Sequence, residues 1–168
     1  QIIVKAGVFC MEISEAVRDF IFECRIRKLA STTITNYTRH LGYLQEYLED
    51  ERDVRNIEDV RAIHIKEFLA MMDARKRKPQ YINDLLKAFK VFFHFCVQEE
   101  YLAKSPADKV HNMKQPKVKI QTFTQSEIRR LLNHFHGRDF LNIRNRAMLA
   151  LFFDTGMRLQ EVLTLRMD

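Results

Sequence analysis

The residues best suited to chemistry lie near the end of the chain, in Asp154-Thr155-Gly156-Met157-Arg158-Leu159-Gln160-Glu161-Val162-Leu163-Thr164-Leu165-Arg166. An arginine held beside a glycine turn between two buried helices would be rigid and could offer paired N–H donors to a phosphate. The same spacing allows a plainer arrangement, a surface Arg158 paired with Glu161 one helical turn on, worth a few tenths of a kcal/mol. A second candidate chemistry is electrostatic. Arg75 to Lys90 holds six bases (Arg75, Lys76, Arg77, Lys78, Lys87, Lys90) and one acid, Asp84, whereas Glu46 to Asp59 holds seven acids and two arginines. Bases gathered apart from acids are the footprint of a polyanion-binding surface, because Lys and Arg release counterions from phosphates; a solvated helix face has the same composition.

Other motifs are weaker. His134 and His136 form an H-x-H inside Asn133-His134-Phe135-His136-Gly137 with no cysteine or carboxylate set beside them, which reads as a solvated loop and not a metal site. The chain has no glycine-rich phosphate loop, H-E-x-x-H or G-x-S-x-G. Cys10, Cys24 and Cys96 are odd in number and none stands in a C-x-x-C pair, which argues against a disulfide framework and for a reducing, cytoplasmic compartment.

These groups must be positioned by helices. A chain of 168 residues makes one large domain or two small ones, and with only 4 glycines and 3 prolines it lacks the tight turns of an all-β protein. Hydrophobic residues at 46% and charged residues at 30% suit a packed core with a solvated surface. The longest apolar run, Ala147 to Phe153, is far short of the ~20 residues a membrane-spanning helix needs. Residues 1–11 show no secretory cleavage site and read as an N-terminal extension or a cloning remnant. Periodicity predicts a helix from an N-cap at Ser14 to about Lys28, a second that starts after Ser31 and Thr32 and runs to about Asp50, a third over Arg61 to Ala74, and a fourth from Pro79 to about Glu100. Such helices close into a bundle over residues 12–103. Residues 104–122 carry five lysines, Pro106 and Pro116 and no helical stripe, which predicts a basic linker with a short extended piece at Val118 to Ile120. Thr124 and Glu127 then form a capping box, with Phe123 and Ile128 as a hydrophobic staple, and open a second domain over 123–168. Further helices are predicted from about Asp139 to Asp154, with Gly156 as a left-handed cap, and again from Arg158. The net charge of +6 sits mostly in this later part: residues 111–168 hold ten bases and five acids.

The stretch T-G-M-R-L-Q-E-V-L-T-L-R at Thr155 to Arg166 resembles the first arginine box of the tyrosine recombinases, the phage and transposon integrases. The helix start Ser31-Thr32-Thr33-Ile34-Thr35-Asn36-Tyr37, the segment Phe89 to Ala107 with its S-P-A exit, and Phe123 to Ile128 are similar to that family in order and spacing, over residues 12–168. The resemblance implies a mainly all-α chain: a four-helix, SAM-like core-binding bundle, a basic linker, then the first helices of an incomplete mixed α+β catalytic domain. It implies DNA cutting and rejoining through a 3′-phosphotyrosyl intermediate without metal or cofactor. Arg158 would contact the scissile phosphate and Glu161 would brace the box. Double-stranded DNA at a recombination site would be the partner, held by Thr32, Thr33, Asn36 and Arg39 on the second helix and by Lys78, Tyr81, Lys87 and Lys90 on or near the fourth, with Lys114, Lys117 and Lys119 along the backbone in the linker.

The departures from the family pattern are as informative. The Lys, H-x-x-R box and nucleophilic Tyr that the family carries downstream are not in these residues, and the five tyrosines all precede the linker. The chain is therefore expected to bind DNA without cutting it, as a portion of a recombinase or as a truncated, non-catalytic regulator of recombination; a protein-interaction bundle is the remaining reading. Full-length relatives work as tetramers on DNA, and the helices after Gln125, short of packing partners, are expected to self-associate, with a swapped dimer as one form.

Overall fold

The computed structural model describes residues 4–5, 8–116 and 121–166 and divides into two compact units, Gln1–Pro116 and Lys117–Asp168. The first unit opens with a two-residue antiparallel pairing of β1 (Val4–Lys5) and β2 (Val8–Phe9). Four helices come next: α1 (Ile13–Ile26), α2 (Ser31–Glu46), α3 (Ala62–Ala74) and α4 (Pro79–Gln98). A π-turn over Tyr47–Glu51 prolongs α2 and a 3-10 turn over Ile57–Asp59 leads into α3. No helix among the described residues is long and apolar enough to cross a membrane.

The helix boundaries obey the apolar periodicity, but one cap does not. Ser14, expected to cap α1, lies inside it, and its hydroxyl donates to the Glu12 carboxylate at 3.2 Å. The start is set instead by backbone pairing, because Ile13 N–H donates to Arg55 C=O at 2.9 Å and Glu12 bridges Asn56. Helix ends explain how the chain manages with so few glycines. Lys28, Lys76 and Glu100 take the left-handed conformation with φ of 54°, 57° and 61°. Backbone N–H groups just beyond them close back on Cys24, Met72 and Cys96 carbonyls, so hydrogen bonding offsets the strain a side chain feels there.

The core forms around α4, whose residues Ile82, Leu85, Leu86, Phe89, Phe92, Phe93 and Cys96 recur at steps of three and four and are all buried. Phe20 of α1 packs against Tyr37, Phe92 and Phe95 with ring centroids 5.3–5.6 Å apart, and Phe68 of α3 packs against Tyr47 and Phe89. The expected linker starts later than residue 104, since Ala107 and Val110 are buried in this core. Asn83 anchors the next stretch of chain: its amide donates to Met113 C=O at 3.0 Å and accepts from Met113 N–H at 2.8 Å. Residues 104–116 are thus part of the bundle unit; Lys117, Lys119 and the expected extended piece at Val118 to Ile120 lie outside the described residues.

The second unit holds α5 (Gln125–His134), α6 (Phe140–Thr155) and α7 (Leu159–Leu163). The capping box is formed as its sequence requires: Glu127 N–H donates to Thr124 Oγ1 at 3.3 Å and Thr124 N–H donates to the Glu127 carboxylate at 2.7 Å. Phe123 sits edge-on to Phe153, with centroids 5.7 Å apart. Gly156 ends α6 at φ 68° in the left-handed region, as expected of a glycine cap. The helices on either side of that turn are not buried as expected. Val162 is the one buried residue among those described in α5, α6 and α7, and Phe140 (74%), Leu141, Ile143, Leu159, Leu163 and Leu165 are exposed. α6 carries apolar residues around most of its circumference, and α5 and α7 offer it too little surface to cover them.

Two outcomes test this packing. Phe92→Ala removes a ring buried in the bundle core and is expected to lower unfolding free energy by about 3–5 kcal/mol, whereas Phe140→Ala, already exposed, changes it little; chemical denaturation checks both. In sedimentation velocity the weight-average mass of the chain is expected to rise with concentration, and a monomer at every concentration would contradict it.

Candidate nucleic-acid interface

On α2, Thr32, Asn36 and Arg39 are exposed and Thr33 is half-buried, and Arg39 Nη2 donates to Asn36 Oδ1 at 3.0 Å. That bond holds the two polar groups one turn apart as a pair on the solvent face. On the facing helix, Lys78 is the residue before α4, Tyr81 and Lys90 are half-buried and Lys87 is exposed. The two helices are joined at this level by His40, whose buried ring meets Tyr81 edge-on with centroids 5.9 Å apart. Burial holds the His40 pKa below the ordinary imidazole value, and the Arg39 charge pushes the same way against an opposing pull from Asp84. A neutral ring therefore sits under a solvent face that carries Arg39.

Along α4 a polar groove of about 420 Å³ runs past Gln80, Asp84, Lys87 and Lys90 and is closed by Asn112 and Gln115 of the segment after the helix. Lys114, exposed, lies on that same segment. The structure thus brings Lys87, Lys90 and the Lys114 segment together. Gln80, Asn112 and Gln115 were not identifiable from charge alone; the i, i+4, i+7 spacing of Gln80, Asp84 and Lys87 was the available signal for the helical part. The basic run does not stay together: Arg75 lies on a different cavity, beside Glu46, Asp50 and Glu51. Nearby, Arg52 is engaged by Glu67 at 3.0 Å and by the Tyr47 hydroxyl at 2.8 Å, so this side keeps its acidic excess. The first unit therefore separates its charges, with an acidic surface around the π-turn and a basic, amide-rich groove on α4.

In the second unit Arg158 caps α7. Its backbone N–H donates to Glu161 at 2.7 Å and its guanidinium Nη1 meets the same carboxylate at 3.3 Å. This is the surface pairing that the spacing allowed, with the Arg158 side chain 87% exposed. The Thr155 hydroxyl donates to Leu151 C=O at 2.6 Å and accepts from Met157 N–H at 3.2 Å, fixing the turn that leads into the arginine. Glu161 thus accepts from both the backbone N–H and the guanidinium of Arg158.

All five tyrosines lie in the first unit. Tyr101 donates its hydroxyl to Asp19 at 3.1 Å, and burial together with that carboxylate pushes its phenol up to about 12, the opposite of nucleophilic activation. Burial likewise pushes the Cys96 thiol up to about 12. His134 and His136 are exposed, and among the described residues no three His, Cys, Asp or Glu side chains gather where they could hold a metal.

Residues 24–100 match the family described as the phage integrase N-terminal SAM-like domain. Over 157 residues the chain is 23% identical to tyrosine recombinase XerD of Listeria innocua serovar 6a, covering 93% of this chain and 53% of that protein. It is 30% identical over 142 residues to XerD of Halalkalibacterium halodurans, covering 84% and 48%. The chain spans about half the length of the curated relatives it matches. Among solved structures it resembles a lambda integrase dimer bound to a COC' core site, with TM-score 0.69 and 15% identity over 89% of this chain and 40% of that one. It also resembles the Tn1549 transposon integrase in complex with circular intermediate DNA, with TM-score 0.67 and 20% identity over 92% and 49%. At these identities the structures share the fold.

The buried imidazoles give a sign-definite prediction. His64, like His40, is held low mainly by burial, and its Nδ1 accepts from Arg61 N–H at 3.3 Å. With folded-state pKa values below the unfolded ones, the unfolded chain binds more protons in between, so this stability is complete above about pH 6.5 and is lost as pH falls below it. Melting temperature is expected to drop from about pH 7 to about pH 5, and the drop is expected to be smaller in His40→Asn, His64→Asn, read by thermal melts across that range.

Proposed function

The chain belongs to the tyrosine recombinase family, and from that membership we propose that its first unit holds duplex DNA against α2 and α4 while its second unit carries the arginine that meets the scissile phosphate. The observation that carries the DNA reading is the separation of charge on the first unit, with Lys87 and Lys90 in a groove whose one carboxylate is Asp84 and the acids Glu46, Asp50 and Glu51 on a different cavity. Lys78, Lys87, Lys90, Arg39 and Lys114 are set for phosphate contacts that fix position; Thr33 and Asn36 have hydroxyl and amide groups able to read base edges. Thr32 and Tyr81 flank them, and Lys117 and Lys119 continue the basic segment along the chain.

In the whole reaction the family implies strand cutting through a 3′-phosphotyrosyl intermediate. Arg158, held by Glu161 beside the Gly156 turn, would place guanidinium donors on the non-bridging oxygens and stabilise the charge that develops on phosphorus-bound oxygen. With every tyrosine in the bundle unit, these residues bind duplex and do not cut it. Tetramer formation on DNA is the corresponding expectation for the complete recombinase.

Changing Lys87 and Lys90 together to Ala tests this reading. Binding to duplexes of any sequence is expected to weaken, and the slope of log affinity against log salt to flatten by up to about 1.8, about 0.9 per lost phosphate contact. Fluorescence anisotropy over a salt series measures both, and an unchanged slope would contradict the assignment. Absence of salt-dependent duplex binding by the unaltered chain would instead favour a protein-interaction bundle.

A further inference from the structure

Asn83 is half-buried on α4, 30 positions from Met113, and makes a reciprocal pair of hydrogen bonds with that residue's backbone N–H and C=O. A side-chain amide offers one acceptor and one donor edge, so it matches a peptide N–H and C=O as another strand would. The two bonds, at 2.8 and 3.0 Å, tie residues 112–115 to α4 and bring Asn112 and Gln115 to the mouth of the groove that holds Lys87 and Lys90. Both flanking amides are exposed. Among the residues lining the groove the one carboxylate, Asp84, accepts from Gln80 Nε2 at 3.1 Å, which occupies part of the acidic group that would face a phosphate there.

A pinned backbone bearing two amides beside two lysines is a different arrangement from a linker that trails along DNA. Lysines fix the register of a duplex through its phosphates; Asn and Gln recognise bases, since one amide can pair in bidentate fashion with adenine N6 and N7. We propose that Asn112 and Gln115 are specificity-determining residues that read base edges, and that Asn83 is the positioning residue that holds them in register with α4. The proposal rests on the DNA-binding reading above and adds to it a division of labour: α4 lysines supply affinity and the 112–115 segment supplies sequence preference.

The test is selection from a pool of duplexes with a randomised core, using the whole chain, and then affinity for a non-selected duplex across a salt series. The unaltered chain is expected to enrich a motif. Asn112→Ala, Gln115→Ala, at two exposed positions, is expected to lose preference over one block of adjacent base pairs while keeping the salt slope of the unaltered chain on the non-selected duplex. Asn83→Ala is expected to lose preference in the same block. Asn83→Gln, which keeps both hydrogen-bonding edges, is expected to recover part of it, an outcome a general loss of stability would not give. An unchanged motif in the double variant, or no motif from an unaltered chain that still binds duplex, would overturn this proposal and leave the DNA-binding reading standing. No binding of any duplex by the unaltered chain would overturn both.

Discussion

Burial of one stripe of α4 is the constraint on which the rest of the first unit depends. Phe89, Phe92 and Phe93 are almost wholly withdrawn from water; Phe92 meets Phe20 of α1, Phe89 meets Phe68 of α3, and Phe93 packs against Phe92. Each such ring removes a large apolar area from solvent, which is the main favourable term in folding. Once that stripe faces inward, the helical period leaves no choice about the opposite side: Gln80, Asp84 and Lys87 must face out, and with them the groove. The groove is thus the unavoidable reverse of the core.

The same packing sets where the charges go. His40 sits neutral between α2 and α4, its ring against Tyr81, so the two helices approach closely without an internal charge to desolvate. Arg39 and Asn36 are left outside that contact, on the solvent side of α2. The acids from Glu46 onward fall where α2 gives way to the π-turn, and Glu67 and the Tyr47 hydroxyl engage Arg52 among them. A polyanion approaching this unit would be attracted on one surface and repelled on the other.

Much of this was legible in the sequence because it depends on period and on local hydrogen bonds. The α4 stripe, the Thr124–Glu127 box and the Gly156 cap are short-range features, and each formed where the residue pattern required. Features fixed by distant partners were not legible. Ser14 has the right chemistry for a cap but lost that place to Glu12, because the backbone of Arg55 and Asn56 reaches the start of α1 from far along the chain. The extent of the bundle depends on a distant partner in the same way, since Asn83 recruits Met113 across 30 positions. The arginine box is the reverse case: its local geometry, with Glu161 holding Arg158, comes from spacing, whereas the burial expected around it needs apolar partners that α5, α6 and α7 do not give one another.

Whether α2, α4 and the 112–115 segment form one duplex-binding face is read most directly from amide chemical-shift changes on titrating the labelled chain with duplex DNA. Shifts are expected at residues 32–39, 78–90 and 112–115, and none around Glu46 to Asp59. Shifts centred on the acidic surface, or spread evenly over the first unit, would contradict such a face.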